Sequence, residues 1–125
     1  MTKPLAGKRS LVLDDEFLIA LDIQQVLEQA GAKEVVCAGT LAEALVAIRA
    51  ERFDLAILDL RLGHDGTSLP AAEALAAAGT PFIFLTGMRT DAEEARTYPD
   101  APVVEKPYHA PTLLEAIVQT AGRSP

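Results

Sequence analysis

The sequence predicts an α/β fold: a doubly wound sheet of five parallel strands with helices on both faces, for which 2-1-3-4-5, one of the two common doubly wound orders, is taken as the spatial order. Three observations predict it. Short apolar runs alternate five times with stretches that carry apolar residues at helical spacing. The short runs are nearly continuous in apolar character, as strands are when both faces are covered. Glycine and proline punctuate the alternation, with Gly31, Gly79 and Gly122 after helical stretches and Pro81 before a strand. Crossovers in such a sheet are right-handed.

The elements follow in order. Residues 10–13 form the first strand. Residues 17–30 form a helix, with apolar residues at 19, 23, 26, 27 and 30 on one face. Residues 34–38 form the second strand. Thr40-Leu-Ala-Glu43 has the spacing of a capping box and opens a helix with Leu41, Ala44, Leu45 and Ile48 on one face. Residues 55–58 are the third strand, and 69–78 an alanine-rich helix. Residues 82–85 are the fourth strand. Residues 90–97 make a weak helix whose apolar face holds little beyond Ala92 and Ala95. Residues 102–105 are the fifth strand. Residues 111–121 are the last helix, expected to turn Leu113, Leu114, Ile117, Val118 and Ala121 inward. The tail Arg123-Ser124-Pro125 is expected to fray.

The bulk numbers set limits on function. The 125 residues suit one domain spanning 1–125, with its core at about 8–121 and no output domain attached. Half the residues are hydrophobic and 23% are charged, so a core can form. No apolar run is long enough to span a bilayer, and the first ten residues lack the apolar centre of a secretory signal. Cys37 is the single cysteine, which excludes a disulfide framework and a thiolate zinc site; with the missing signal it favours the cytoplasm. A net charge of −7 argues against a nucleic-acid partner, and the absence of tryptophan leaves few platforms for stacked bases.

Function is expected where open α/β sheets hold their ligands, at the carboxyl ends of the strands. Four of the five strands end there in polar groups. The first runs into Asp14-Asp15, the third ends at Asp59, the fourth at Thr86 and Gly87, and the fifth at Lys106 before Pro107. With neighbouring strands ~4.8 Å apart, the first and fifth strand ends lie ~14 Å apart. A lysine stem covers much of that gap. Two carboxylates about 5 Å apart repel by ~3 kcal/mol at an effective dielectric near 20. Three in one crevice must take up protons or attract a cation. Carboxylates without imidazole or thiolate suit a hard ion, Mg²⁺ or Mn²⁺, and Mg²⁺ accepts carboxylates together with a phosphoryl oxygen. Lys106, the Thr86 hydroxyl and the unobstructed N–H of Gly87 suit the remaining oxygens. The chemistry these groups point to is phosphoryl transfer to a carboxylate. Asp59, alone at the end of the central strand, is the candidate nucleophile. Asp14 and Asp15 are candidate metal ligands. Glu16 is expected to start the first helix, where negative charge is favourable.

The set Asp14-Asp15, Asp59, Thr86 and Lys106-Pro107, on these strand ends and in this order, resembles the receiver domain of bacterial response regulators, a flavodoxin-like (βα)5 fold. The resemblance covers residues 8–121. It implies a single-domain response regulator whose Asp59 takes a phosphoryl group from a histidine kinase or a phosphotransfer protein, then acts on a downstream protein target or in a phosphorelay. It also implies that Asp15, Asp59 and the backbone carbonyl of Arg61 ligate the metal, with Asp14 acting mostly through water. The segments LRLGHDGTSLP, ALAAAGTPFIFLTG and KPY are similar to the FAT GUY group of single-domain receivers, which is associated with alphaproteobacterial stress signalling through kinases of the HWE type. Here the namesake run reads Phe84-Leu85-Thr86-Gly87, and Met88-Arg89 stands where an aromatic is expected. Two further departures bear on switching. The loop Leu62-Gly63-His64-Asp65-Gly66 is a residue shorter than usual and has glycine in place of proline. Val103 replaces the usual aromatic switch residue, so another element must report the state, and the weak helix 90–97 is the first place to look.

Three other functions compete. A phosphohydrolase of the haloacid dehalogenase type also uses Asp, Thr and Lys around Mg²⁺, and Asp65-Gly66-Thr67 is similar to part of its nucleophile motif. That motif needs an aspartate where Gly63 stands, and the chain order of the groups is wrong. A flavin or nucleotide module would need phosphate donors after the first strand, where two aspartates repel phosphate instead. A pseudo-receiver that binds partners without phosphorylation is the remaining alternative, favoured by the altered loop and Val103. Plainer roles are expected elsewhere: His64 in a loop, His109 at a helix start, Asp65 in the turn beside Gly66, Cys37 as a small buried apolar residue, and Tyr108 in packing or a partner contact.

Overall fold

The computed structural model describes residues 3–87 and 92–121. Ten elements alternate along the chain. They are β1 (Arg9–Leu13), α1 (Phe17–Gln29), β2 (Glu34–Ala38), α2 (Leu41–Ala50), β3 (Leu55–Asp59), α3 (Leu69–Ala77), β4 (Phe82–Thr86), α4 (Ala92–Ala95), β5 (Val103–Glu105) and α5 (Ala110–Ala121). The strands form one parallel sheet in the order β2-β1-β3-β4-β5. This is the expected order, and each strand lies within a residue or two of its expected place. Of the weak helix expected over 90–97, residues 92–95 form α4, 96 and 97 form a turn, and 90 and 91 lie outside the described residues. Met88, Arg89, Thr90 and the tail from Gly122 fall outside the described residues.

Strand alternation divides the core into two layers. Val12, Ile57, Ile83, Leu85 and Val104 pack with Ile23, Leu27, Leu113 and Ile117 of α1 and α5. Leu11, Leu13, Ala56, Leu58, Phe82 and Phe84 pack with Ala44, Ala72 and Leu75 of α2 and α3. β3 and β4 are buried at every residue, which explains why both read as unbroken apolar runs.

Glycine and polar side chains close the helices much as the sequence implies. Gly79, past the end of α3, takes φ 76°, a left-handed conformation that suits glycine. Thr40 caps α2 by accepting the Glu43 N–H at 3.1 Å. The reciprocal half of the box differs, because Glu43 Oε1 accepts from the Gly39 N–H (3.1 Å) and the Thr40 hydroxyl (3.2 Å).

Two expectations about burial are corrected. In α5 the buried stripe is Leu113, Ala116, Ile117 and Thr120, while Leu114 and Val118 are 38% and 46% exposed. At 100° per residue the helix is turned by roughly a quarter-turn from the face expected from its larger apolar residues. Ala116 is buried in the same core layer as Leu113 and Ile117. Cys37 is exposed rather than buried, since it lies on the edge strand β2, where its thiol donates to Gln24 Oε1 at 3.4 Å.

Candidate functional site

The sheet register assembles the site. Leu13 pairs with Leu58, so the next residues, Asp14 and Asp59, emerge side by side from the centre of the sheet. Asp14 is 1% and Asp59 6% exposed, while Asp15 faces solvent. Carboxylate oxygens of Asp14, Asp15 and Asp59 lie within 4.8 Å of one another. Lys106, just past β5, reaches across the strand between them. Its Nζ lies 3.3 Å from Asp14 Oδ2 and 3.3 Å from Asp59 Oδ2. The lysine stem thus closes the gap between the first and fifth strand ends.

The other predicted residues line the same rim. Thr86 ends β4 with its side chain buried, and its carbonyl accepts the Lys106 N–H at 2.7 Å. Gly87 follows, exposed; a Cβ there would meet no protein atom within 4 Å. Arg61 lies two residues beyond Asp59. Its backbone bridges to Thr67, and its guanidinium forms an ion pair with Glu94 of α4.

Burial dominates the electrostatics of Asp59. It raises the carboxyl pKa; the Lys106 charge opposes it and the Asp14 charge adds to it, leaving a value of about 7. At Lys106 burial disfavours the charge, but Asp59 and Asp14 together outweigh it and raise the ammonium pKa. The cation is therefore always present between the two carboxylates at neutral pH.

Several neighbours have roles the sequence did not reveal. The N–H of Glu16 donates to Asp14 Oδ1 at 2.9 Å, so Asp14 rather than Glu16 supplies the polar cap at the start of α1. Asp65, expected to serve only its own turn, accepts the Leu41 N–H at 2.9 Å and caps α2 from the loop after β3. Tyr108 donates to Asp22 Oδ2 on α1 at 2.8 Å. Glu94 holds Arg61. Apart from the Asp14–Glu16 pair, each partner is remote in sequence, and no local spacing marks such a pair. Gly63 was legible only as a departure. It opens a single 3-10 turn, Gly63–Asp65, at φ 62°, and a Cβ there would approach Asp15 Oδ2 to 3.0 Å. Glycine is what lets this loop pack against the acidic cluster. His109 sits exposed before α5, as expected of a helix-start residue.

The donor set fits a hard divalent ion. Among the described residues it consists of carboxylate oxygens, with no imidazole or thiolate in the cluster. Such a cluster is typical of the Mg²⁺ site of receiver domains.

Comparison with known proteins agrees with this geometry. A family model described as the response regulator receiver domain matches residues 11–118. The chain is 30% identical over 122 residues to the transcriptional regulatory protein PdtaR of Mycobacterium tuberculosis, covering 93% of this chain and 58% of that protein. It spans between 35% and 58% of the length of the curated relatives it matches. The solution structure of SdrG from Sphingomonas melonis Fr1 superposes with a TM-score of 0.75 at 36% identity, covering 92% of this chain and 98% of that one. The anti-anti-sigma factor PhyR of Bartonella quintana superposes with a TM-score of 0.76 at 25% identity, covering 95% of this chain and 51% of that one. Sheet order, strand-end chemistry and the match across residues 11–118 converge on one conclusion: the chain belongs to the response regulator receiver domains of two-component signalling, which accept a phosphoryl group and are not enzymes in the usual sense.

Proposed function

We propose that Asp59 accepts a phosphoryl group from the phosphohistidine of a histidine kinase or of a phosphotransfer protein. The carrying observation is the convergence of Asp14, Asp15 and Asp59 with the Lys106 ammonium, 3.3 Å from the Asp59 carboxylate. An Asp59 oxygen forms the new O–P bond as the N–P bond breaks, and the electron pair of that bond returns to the donor imidazole. Ionised Asp59 is the reactive form, and Lys106 favours it. The ammonium, the Thr86 hydroxyl and the Gly87 N–H then hold the phosphoryl oxygens. Asp14, Asp15, Asp59 and the Arg61 carbonyl hold Mg²⁺, or Mn²⁺, which supplies neutralisation of charge on the phosphoryl oxygens.

The phosphorylated domain signals by protein contacts or passes the group on in a relay. Its phosphohistidine partner places it in the cytoplasm; no helix among the described residues is long and apolar enough to cross a membrane. The acidic balance disfavours a nucleic-acid role for this domain. The Phe84–Gly87 run and the likeness to PhyR, named as an anti-anti-sigma factor, support a kinase of the HWE type. Phe17 and Leu18, 74% and 77% exposed at the start of α1, offer a donor protein an apolar landing beside Asp59.

The test is incubation of the purified protein with a small acyl phosphate or phosphoramidate donor and Mg²⁺, read by intact mass. One added phosphoryl group is expected, and none in Asp59→Ala. Equal uptake by Asp59→Ala would remove Asp59 from the role. No uptake by the wild-type chain, from small donors or from a panel of histidine kinases, would favour a pseudo-receiver.

A further inference from the structure

We propose that Tyr108 is a positioning residue for Lys106: its hydroxyl, bonded to Asp22 on α1, fixes the backbone that aims the ammonium between Asp14 and Asp59. The catalytic part of this inference rests on the function proposed above.

Lysine is a flexible side chain with roughly 2 kcal/mol of rotamer entropy to lose. The two contacts at its Nζ are 3.3 Å long, against ~2.7–2.9 Å for strong charge-assisted bonds. Such contacts hold the ammonium only loosely, so the aim of the stem depends on its backbone. On the β5 side that backbone is fixed, because the Lys106 N–H donates to Thr86 O at 2.7 Å. On the other side, Pro107 has no N–H to give. Beyond Pro107, His109 O accepts the Leu113 N–H of α5 at 3.1 Å, and next to Lys106 the Tyr108 hydroxyl adds a side-chain tie to Asp22 on α1.

The tyrosine is built for this. Its ring packs against the core layer under α1 and α5. Its hydroxyl emerges beside α1 and meets Asp22 at 2.8 Å. Burial, reinforced by the bond to Asp22 and by the charges of Asp22 and Asp14, raises the phenol pKa, so the hydroxyl stays a neutral donor. Leu18, Ile19, Asp22, Lys106, Pro107 and Tyr108 line one groove. Asp22 therefore links the exposed face of α1 to the residue that carries the reactive cation.

Tyr108→Phe keeps the ring and removes only the hydroxyl. Asp22→Ala removes the acceptor, and Asp22→Asn keeps an acceptor oxygen. Expected are rates of phosphoryl uptake from a small donor about two- to tenfold lower in Tyr108→Phe and Asp22→Ala, the scale of one ordinary hydrogen bond. Asp22→Asn should stay within twofold of wild type, and the Asp22→Ala/Tyr108→Phe double variant should be no slower than either single one. The dissociation constant for Mn²⁺, by calorimetry, should not change, since neither residue touches the carboxylate cluster. A second measurement needs no phosphoryl transfer. The Lys106 amide should lose hydrogen-exchange protection in Tyr108→Phe and Asp22→Ala, while β1 and β3 amides keep theirs. Wild-type uptake and wild-type Lys106 protection in Tyr108→Phe would overturn the proposal, as would a rate loss matched by an equal loss of Mn²⁺ affinity. Should the wild-type chain take up no phosphoryl group, the function proposed above fails, and the exchange experiment alone decides whether Tyr108 positions Lys106.

Discussion

Asp59 carries the site's sharpest conflict, between a buried position and the charge that the proposed chemistry needs. Its pKa of about 7 means that the folded chain binds a proton more tightly than the unfolded chain, whose aspartate titrates near ~3.9. The stability that proton contributes is complete below the unfolded pKa and is lost as pH rises through about 7. Asparagine cannot ionise. In metal-free protein, Asp59→Asn should therefore melt above wild type, with a gap that widens between about pH 4 and 7 and is flat beyond. Thermal melts in chelator across that range check this, and parallel curves would contradict it. The residues of this cluster were legible in the sequence because each ends a strand, and strand ends in an open parallel sheet share one rim. Asp65, Asp22 and Glu94 were not, because each acts on a partner brought near only by folding. Cys37 was misjudged because burial on an edge strand depends on what covers that edge.

At the level of elements, α5 separates apolar content from burial. Leu113 is fully buried, while Leu114, its neighbour in sequence, is 38% exposed. Leu113→Ala should cost about 2–5 kcal/mol through lost contacts and a cavity. Leu114→Glu should change stability by no more than about 0.5 kcal/mol. Urea unfolding of the two variants compares them directly, and equal losses would restore the face expected from sequence. That expectation followed the bulkiest residues. The buried stripe instead takes in Ala116 and Thr120, which size and apolar character alone do not single out. Strands β3 and β4 gave no such ambiguity, since a run buried on both faces has no face to misassign. The capping box of α2 was legible from Thr40 and Glu43, but its second cap, Asp65, was not.

The whole molecule is arranged so that sheet order brings distant strand ends to one point. Asp14 and Lys106 are 92 residues apart in sequence and in contact in space. The parallel sheet was legible from the alternation of elements, its order was a choice between two common arrangements, and the convergence followed from that choice. The molecular consequence is that a divalent ion, bound only when these ends are together, should stabilise the entire domain. At a free concentration one hundred times its dissociation constant, the gain is ~2.7 kcal/mol. Mg²⁺ should raise the melting temperature of the wild-type chain, more at pH 8 than at pH 6, because the proton on Asp59 competes with the ion. Asp15→Ala, at an exposed position, should fold normally and lose most of that rise. A wild-type melting temperature indifferent to Mg²⁺ and to Mn²⁺ would count against the metal site.

The bond from Leu41 to Asp65 has a consequence for anyone recombining such domains. The short loop behind Asp59 completes the first turn of a helix that begins 24 residues upstream. Residues 60–66 and residue 41 are thus a single transplantable unit. A chimera that exchanges the loop without its matching helix start leaves one seam open on each side of the graft.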